Sequence, residues 1–151
     1  MPRLSLTNNL SSPKCTRIQL INEPFNTSVP TDAWTDDAGA VATLQAGGYL
    51  KLTHSTNGYS SINLPVIANQ SYKYSIECSA TSATGIEGPI IKFGTSANNN
   101  SIANIPVAKS GSAVIKTGTI SVGSATTLYL TFFHPTNNAL TFWDNILIED
   151  A

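Results

Sequence analysis

Charge is what this sequence has least of. Only 11% of its 151 residues are Asp, Glu, Lys or Arg, and the net charge is −1. That is less than half the charged share of an ordinary globular domain. So nearly neutral a composition gives no electrostatic footprint for a phosphate backbone or an anionic lipid surface, and neither nucleic acid nor membrane is expected as a partner. No apolar run approaches the roughly 20 residues of a membrane-spanning helix. The opening Met1-Pro2-Arg3-Leu4-Ser5-Leu6-Thr7-Asn8-Asn9 has no apolar stretch of the kind a secretory signal needs, so none is expected. Glycine-rich phosphate loops and nucleotide fingerprints are missing as well.

Cysteine is nearly absent. Cys15 and Cys78 stand far apart, with no Cys-x-x-Cys and no histidine pair, which argues against zinc. Cys78 falls in the alternating run Tyr72-Lys73-Tyr74-Ser75-Ile76-Glu77-Cys78 and is read as a small buried hydrophobe rather than half of a disulfide.

Uncharged polar residues fill the gap: Ser, Thr and Asn make up about a third of the chain. With 41% hydrophobic residues and 12 aromatics, the composition is that of a folded domain, not a disordered one. The length suits one domain with a full two-layer core.

The rhythm is strand and turn throughout, with no 3.6-residue period. Expected strands are Arg17–Ile21, Ala40–Gln45, Tyr49–His54, Tyr59–Leu64, Ser71–Ala80, Pro89–Phe93, Ile102–Val107, Ala113–Ser121, Thr127–Phe133 and Leu140–Ile148. Between them stand turn signals such as Ala46-Gly47-Gly48, Asn57-Gly58, Asn98-Asn99-Asn100 and Gly123-Ser124. So many short strands at regular spacing predict an all-β fold, an antiparallel β-sandwich or jelly roll. The last two strands form a hairpin, and the second is interrupted by Asp144-Asn145 before Ile146 and Ile148.

Catalysis has little support. His54 and His134 sit at strand ends without a nucleophile at triad spacing. The acidic residues, Glu23, Asp36, Asp37, Glu77, Glu87, Asp144 and Glu149 among them, are scattered rather than paired as in a glycosidase. Exposed aromatic rings rimmed by amides or carboxylates are what sugar binding needs. Strand parity offers Trp34, Tyr49, Tyr59 and Tyr129 as candidates, though residues of this kind are more often core or edge packing than ligand platforms.

Three stretches carry a resemblance. Asn22-Glu23-Pro24-Phe25-Asn26 followed by Ala33-Trp34, the run Ala68-Asn69-Gln70-Ser71-Tyr72-Lys73-Tyr74-Ser75, and the ending Phe142-Trp143-Asp144-Asn145-Ile146-Leu147-Ile148 are together similar to jelly-roll carbohydrate-binding modules. Such modules occur on glycoside hydrolases and on phage head-decoration, fibre and tail proteins. The match covers residues 22–150, which divides the chain into an N-terminal arm with a first strand (1–21) and the module (22–151). The resemblance implies a structural calcium held by Asp144 and the opening motif; Asn26 replaces the family's usual Glu and loses a charge, which favours the alternative that Asp144 caps the loop by local hydrogen bonds. No other cofactor is expected.

These features combine into an expectation of a non-catalytic structural protein of a phage virion, released by host lysis. Its partners would be virion proteins or further copies of itself, with binding of host-surface glycan as an additional role. A soluble carbohydrate-binding module is the alternative, and a small glycan hydrolase the third reading. The apolar Leu4, Leu6, Leu10, Ile18 and Leu20 mark residues 1–20 as an assembly arm.

Overall fold

The alternation of large apolar and polar side chains in Leu128-Tyr129-Leu130-Thr131-Phe132-Phe133 puts Leu128, Leu130 and Phe132 on one face of a strand, and all three are fully buried. That logic repeats in most strands of a computed structural model describing residues 19–23, 34–37, 39–45, 49–54, 58–82, 87–135 and 139–151. Eleven strands and no helix are found among the described residues. They are β1 (Gln19–Glu23), β2 (Thr35–Asp37), β3 (Val41–Gln45), β4 (Tyr49–His54), β5 (Tyr59–Pro65), β6 (Ser71–Ser82), β7 (Ile90–Gly94), β8 (Ala103–Pro106), β9 (Val114–Ser121), β10 (Thr127–Phe133) and β11 (Ala139–Asp150).

The strands form two antiparallel sheets, β3-β4-β11-β6-β9 and β2-β5-β10-β7-β8, packed as a sandwich. The all-β sandwich expected from the sequence is the fold observed, but the expected closing hairpin is not: β10 and β11 lie in different sheets, so the chain crosses from one layer to the other between them. Strand β11 holds the first sheet together. One edge of it pairs β6 along almost its full length, while the other pairs β4 from Ala139 to Trp143 and then β1 from Ile146 to Glu149. β1 crosses the boundary expected at residue 21; residues 1–18, most of the expected arm, lie outside the described residues.

The switch of partner on β11 coincides with a bulge. The register with β6 shifts between Asp144 and Leu147, and Asn145 takes a left-handed φ of 46°. Without the extra residue Ile146 and Ile148 would face solvent; with it both are fully buried.

Three rings run through the core from sheet to sheet. Trp34 stacks on Phe132 at 4.9 Å between centroids, and Phe132 stacks on Trp143 at 3.8 Å with the planes 4° apart. Trp143 comes from β11 and Phe132 from β10, so the stack ties the two sheets at the centre of each. Leu50, Leu52, Ile76, Ile91, Phe93 and Leu130, all with no exposure, pack around it.

Candidate functional site

With the inward faces committed to the core, any ligand must meet the outer sheet faces or the loops. On β10 the outward residues are Tyr129, Thr131 and Phe133. Cross-strand pairing sets Tyr59 beside Phe133, Ser61 beside Thr131 and Asn63 beside Tyr129 on β5. On the other side, β7 sets Lys92 beside Thr131 and Gly94 beside Tyr129. Aromatic, hydroxyl and amide groups therefore stand in rows across the second sheet. Tyr59, Tyr129 and Phe133 are half-buried and Asn63 is exposed.

This face is held in place by polar contacts. The Tyr59 hydroxyl donates to Asp37 Oδ2 at 2.5 Å, and that carboxylate, chiefly, raises the phenol's pKa. Lys92 Nζ lies 3.7 Å above the Phe133 ring and donates to Asn98 Oδ1 at 2.7 Å. Partial burial shifts the lysine's pKa downward. Asn98, itself at a φ of 56°, donates its backbone N–H to Thr131 Oγ1 at 3.2 Å. The 95–100 turn is thereby anchored over the centre of the sheet. Gly94 makes this possible: a Cβ there would meet the Asn99 carbonyl oxygen at 2.3 Å.

The outer face of the first sheet is different. Tyr49 of β4 meets Phe142 of β11 edge to face, 5.5 Å between centroids. Beside them an open depression of about 300 Å³ is lined by Glu77, Ser79, Ala113 and Asp144. Glu77 and Asp144 are direct cross-strand partners. Burial pushes the Asp144 carboxyl above its ordinary pKa and Glu77 adds to the push, while the Asn145 N–H opposes it. Further along β6 and β11 the same face holds a second depression, of about 310 Å³, lined by Lys73, Ser75, Thr117, Leu147 and Glu149.

The four aromatic candidates are thus divided. Tyr59 and Tyr129 share the outer face of the second sheet, and Tyr49 lies on the outer face of the first. Trp34 is a correction: it is 5% exposed and stacked on Phe132, so no ring face is left for a ligand. Phe133 and Phe142 are outward-facing rings that the sequence reading did not select. Parity on β10 marks Phe133, whereas the Asp144-Asn145 interruption hides the parity of Phe142.

Of the expected calcium ligands, Asn26 lies outside the described residues. Asp144 takes the Asn145 N–H on Oδ1 at 2.7 Å. Among the described residues no three His, Cys, Asp or Glu side chains gather as a metal site. His54 and His134 are buried and pack on each other, 5.7 Å between ring centroids, at one end of the sandwich.

No protein-family model and no curated protein matches this sequence. Solved structures do match. The CBM22-1 xylan-binding domain of Xyn10C from Paenibacillus barcinonensis is 16% identical, with a TM-score of 0.67 over 89% of this chain and 95% of that one. The C-terminal family 22 carbohydrate binding module of Clostridium thermocellum Xyn10B is 13% identical, with a TM-score of 0.65 over 88% and 94%. The N-terminal cellulose-binding domain of Cellulomonas fimi β-1,4-glucanase C is 12% identical, with a TM-score of 0.62 over 87% and 96%. At these identities the likeness is one of fold: this chain has the jelly-roll architecture of carbohydrate-binding modules.

Proposed function

We propose that this chain is a non-catalytic carbohydrate-binding module whose ligand meets the outer face of β5 and β10 at Tyr59, Phe133 and Tyr129, beside the 95–100 turn. The observation that carries this reading is the alignment of the half-buried Tyr59, Phe133 and Tyr129 on one sheet face, with Asn63 and Lys92 beside them, while Ser61 and Thr131 between the rings are buried. Aromatic rings offer apolar faces to the C–H side of sugar rings, and amide and ammonium groups meet the hydroxyls at the rim. The carbohydrate-binding modules that share the fold support it. The sequence features together favour a virion structural role; the carbohydrate-binding modules that share the fold support the alternative, a soluble carbohydrate-binding module, better.

Titration calorimetry against soluble xylan, mannan and cello-oligosaccharides tests the proposal. Tyr59→Ala and Tyr129→Ala are each expected to weaken binding about tenfold, some 1.4 kcal/mol, with an unchanged melting temperature. No binding by the intact protein to any of these glycans overturns it.

A further inference from the structure

We propose that the depression on the opposite face, between Tyr49, Phe142, Glu77 and Asp144, is a second sugar-binding site, specific for a neutral, hydroxyl-rich ring. It rests on the reading of the chain as a glycan-binding module but uses none of the residues that carry it.

The geometry is that of a built acceptor pair. Asn145 sits on the bulge with a left-handed backbone and reaches both carboxylates: its Nδ2 donates to Glu77 Oε2 at 2.8 Å, and its backbone N–H donates to Asp144 Oδ1 at 2.7 Å. One oxygen of each carboxylate is so occupied and the group's orientation fixed, while the other oxygen is left to accept. Glu77 and Asp144 lie opposite each other on neighbouring strands, their Cβ atoms about 5 Å apart at cross-strand spacing, and both line the same depression. Two adjacent ring hydroxyls are the donor pair that fits them, and O–H donors to carboxylates make short, strong hydrogen bonds.

The walls supply the remainder. Phe142 and Tyr49 meet edge to face and are only half-buried, so they offer apolar surface to a sugar's C–H face. Ser79 adds a hydroxyl at the lip. Across from Glu77 on β9, Ile115 is 62% exposed and extends the apolar rim. A volume of about 300 Å³ is at the lower end of small-ligand sites and suits a ring or two of a sugar chain. Lys51 stands directly beside Phe142. Its positive charge works against an ammonium ligand, which the two carboxylates alone would otherwise favour.

The carboxylates are placed to bind rather than to cleave. A glycosidase sets its two carboxyl groups on either side of the scissile bond. Glu77 and Asp144 instead project together from adjacent strands and share one asparagine.

The test is an amide-shift NMR titration of the full chain with xylotetraose, mannotetraose, cellotetraose and the glucosamine tetramer. It uses the wild type, Tyr59→Ala/Tyr129→Ala, and Phe142→Ala. Phe142 points outward, and an unchanged melting temperature confirms that its variant is folded. The proposal expects a neutral tetramer to shift Glu77, Ser79, Asp144 and Asn145 in the wild type and in the double variant, and at least tenfold weaker shifts there in Phe142→Ala. If shifts are confined to the Tyr59 face, or vanish everywhere in the double variant, the second site is refuted and the first stands. If they are confined to the Glu77 face, the first site fails and the second stands. A glucosamine tetramer that binds the Glu77 face more tightly than every neutral tetramer overturns the neutral specificity. New reducing ends during the titration overturn the binding role in favour of hydrolysis, and the absence of any shift overturns both sites.

Discussion

His54 and Trp143 are joined through a single hydroxyl, that of Thr141. The Trp143 Nε1–H donates to Thr141 Oγ1 at 2.7 Å, and the same oxygen lies 2.8 Å from His54 Nε2. An indole nitrogen only donates and the Gly58 carbonyl only accepts, so the neutral ring carries its proton on Nδ1, and the threonine accepts from Trp143 and gives its own proton to His54 Nε2. The Nδ1–H donates to the Gly58 carbonyl at 2.9 Å. The network therefore fixes the neutral His54 in one tautomer, connecting the ring stack to the end of β4.

Acid is expected to loosen the protein through this ring. Burial holds the His54 pKa down at about 4 against an ordinary 6.5; the Gly58 carbonyl opposes this, His134 nearby adds to it, and Asp36 acts weakly upward. Above pH 6.5 the ring is neutral folded or unfolded. As pH falls from 6.5 toward 4, the unfolded chain takes a proton that the folded one refuses, and stability drops by about 3 kcal/mol in all. Urea denaturation from pH 7 to pH 4 checks it. A His54→Gln variant should lose this part of the slope, and an identical slope in both proteins would remove His54 as the cause.

The stack of Trp34, Phe132 and Trp143 should behave as one unit. Phe132 is fully buried and touches a ring on each side, so Phe132→Ala is expected to cost about 3–5 kcal/mol. Removing Phe132 also unsupports both tryptophans. The costs of Phe132→Ala and Trp34→Ala should therefore combine non-additively by about 0.5–3 kcal/mol. Strict additivity in a double-mutant cycle would show that the rings do not support one another.

The sandwich was legible because alternation is a local property. Tyr49–His54 and Thr127–Phe133 are strands with the bounds the sequence implied, since turn residues flank each of them. β2 was not legible: Thr35, Asp36 and Asp37 are all exposed, so no apolar pattern marks them. The role of Trp34 was ambiguous because a single tryptophan after a turn looks the same as a core plug or a ligand platform. The Glu77–Asp144 pair depends on the register between β6 and β11, two strands more than 50 residues apart in the sequence. Nothing local to either residue reveals it.

Cys78 should be chemically silent in the folded protein. Its side chain is 1% exposed, and burial pushes the thiol pKa up to about 12, with Lys116 opposing this and Glu77 adding to it. The thiolate that alkylating reagents need is scarce near neutral pH, and access is blocked. A Cys15→Ser variant, which isolates Cys78, should label at least a hundredfold more slowly with iodoacetamide when native than in denaturant. Comparable rates in the two states would place the thiol at the surface.

The bulge at Asn145 makes the sharpest prediction, because one residue there decides the facing of the next four. Ile146 and Ile148 are buried only through the register shift, and Leu147 and Glu149 face outward for the same reason. Deleting Asn145 would turn both isoleucines to solvent and bring Leu147 and Glu149 into the core. No folded domain should result. Substitution separates the backbone from the side chain. Asn145→Gly tolerates the φ of 46°, so its cost should stay within about 1 kcal/mol, while the hold on Glu77 Oε2 is lost. Asn145→Val adds a β-branched side chain in a left-handed conformation and should cost about 1–2 kcal/mol more than the glycine variant. Urea denaturation of the three proteins checks the order. A deletion variant that unfolds cooperatively at the wild-type midpoint would mean that the isoleucines do not depend on the bulge.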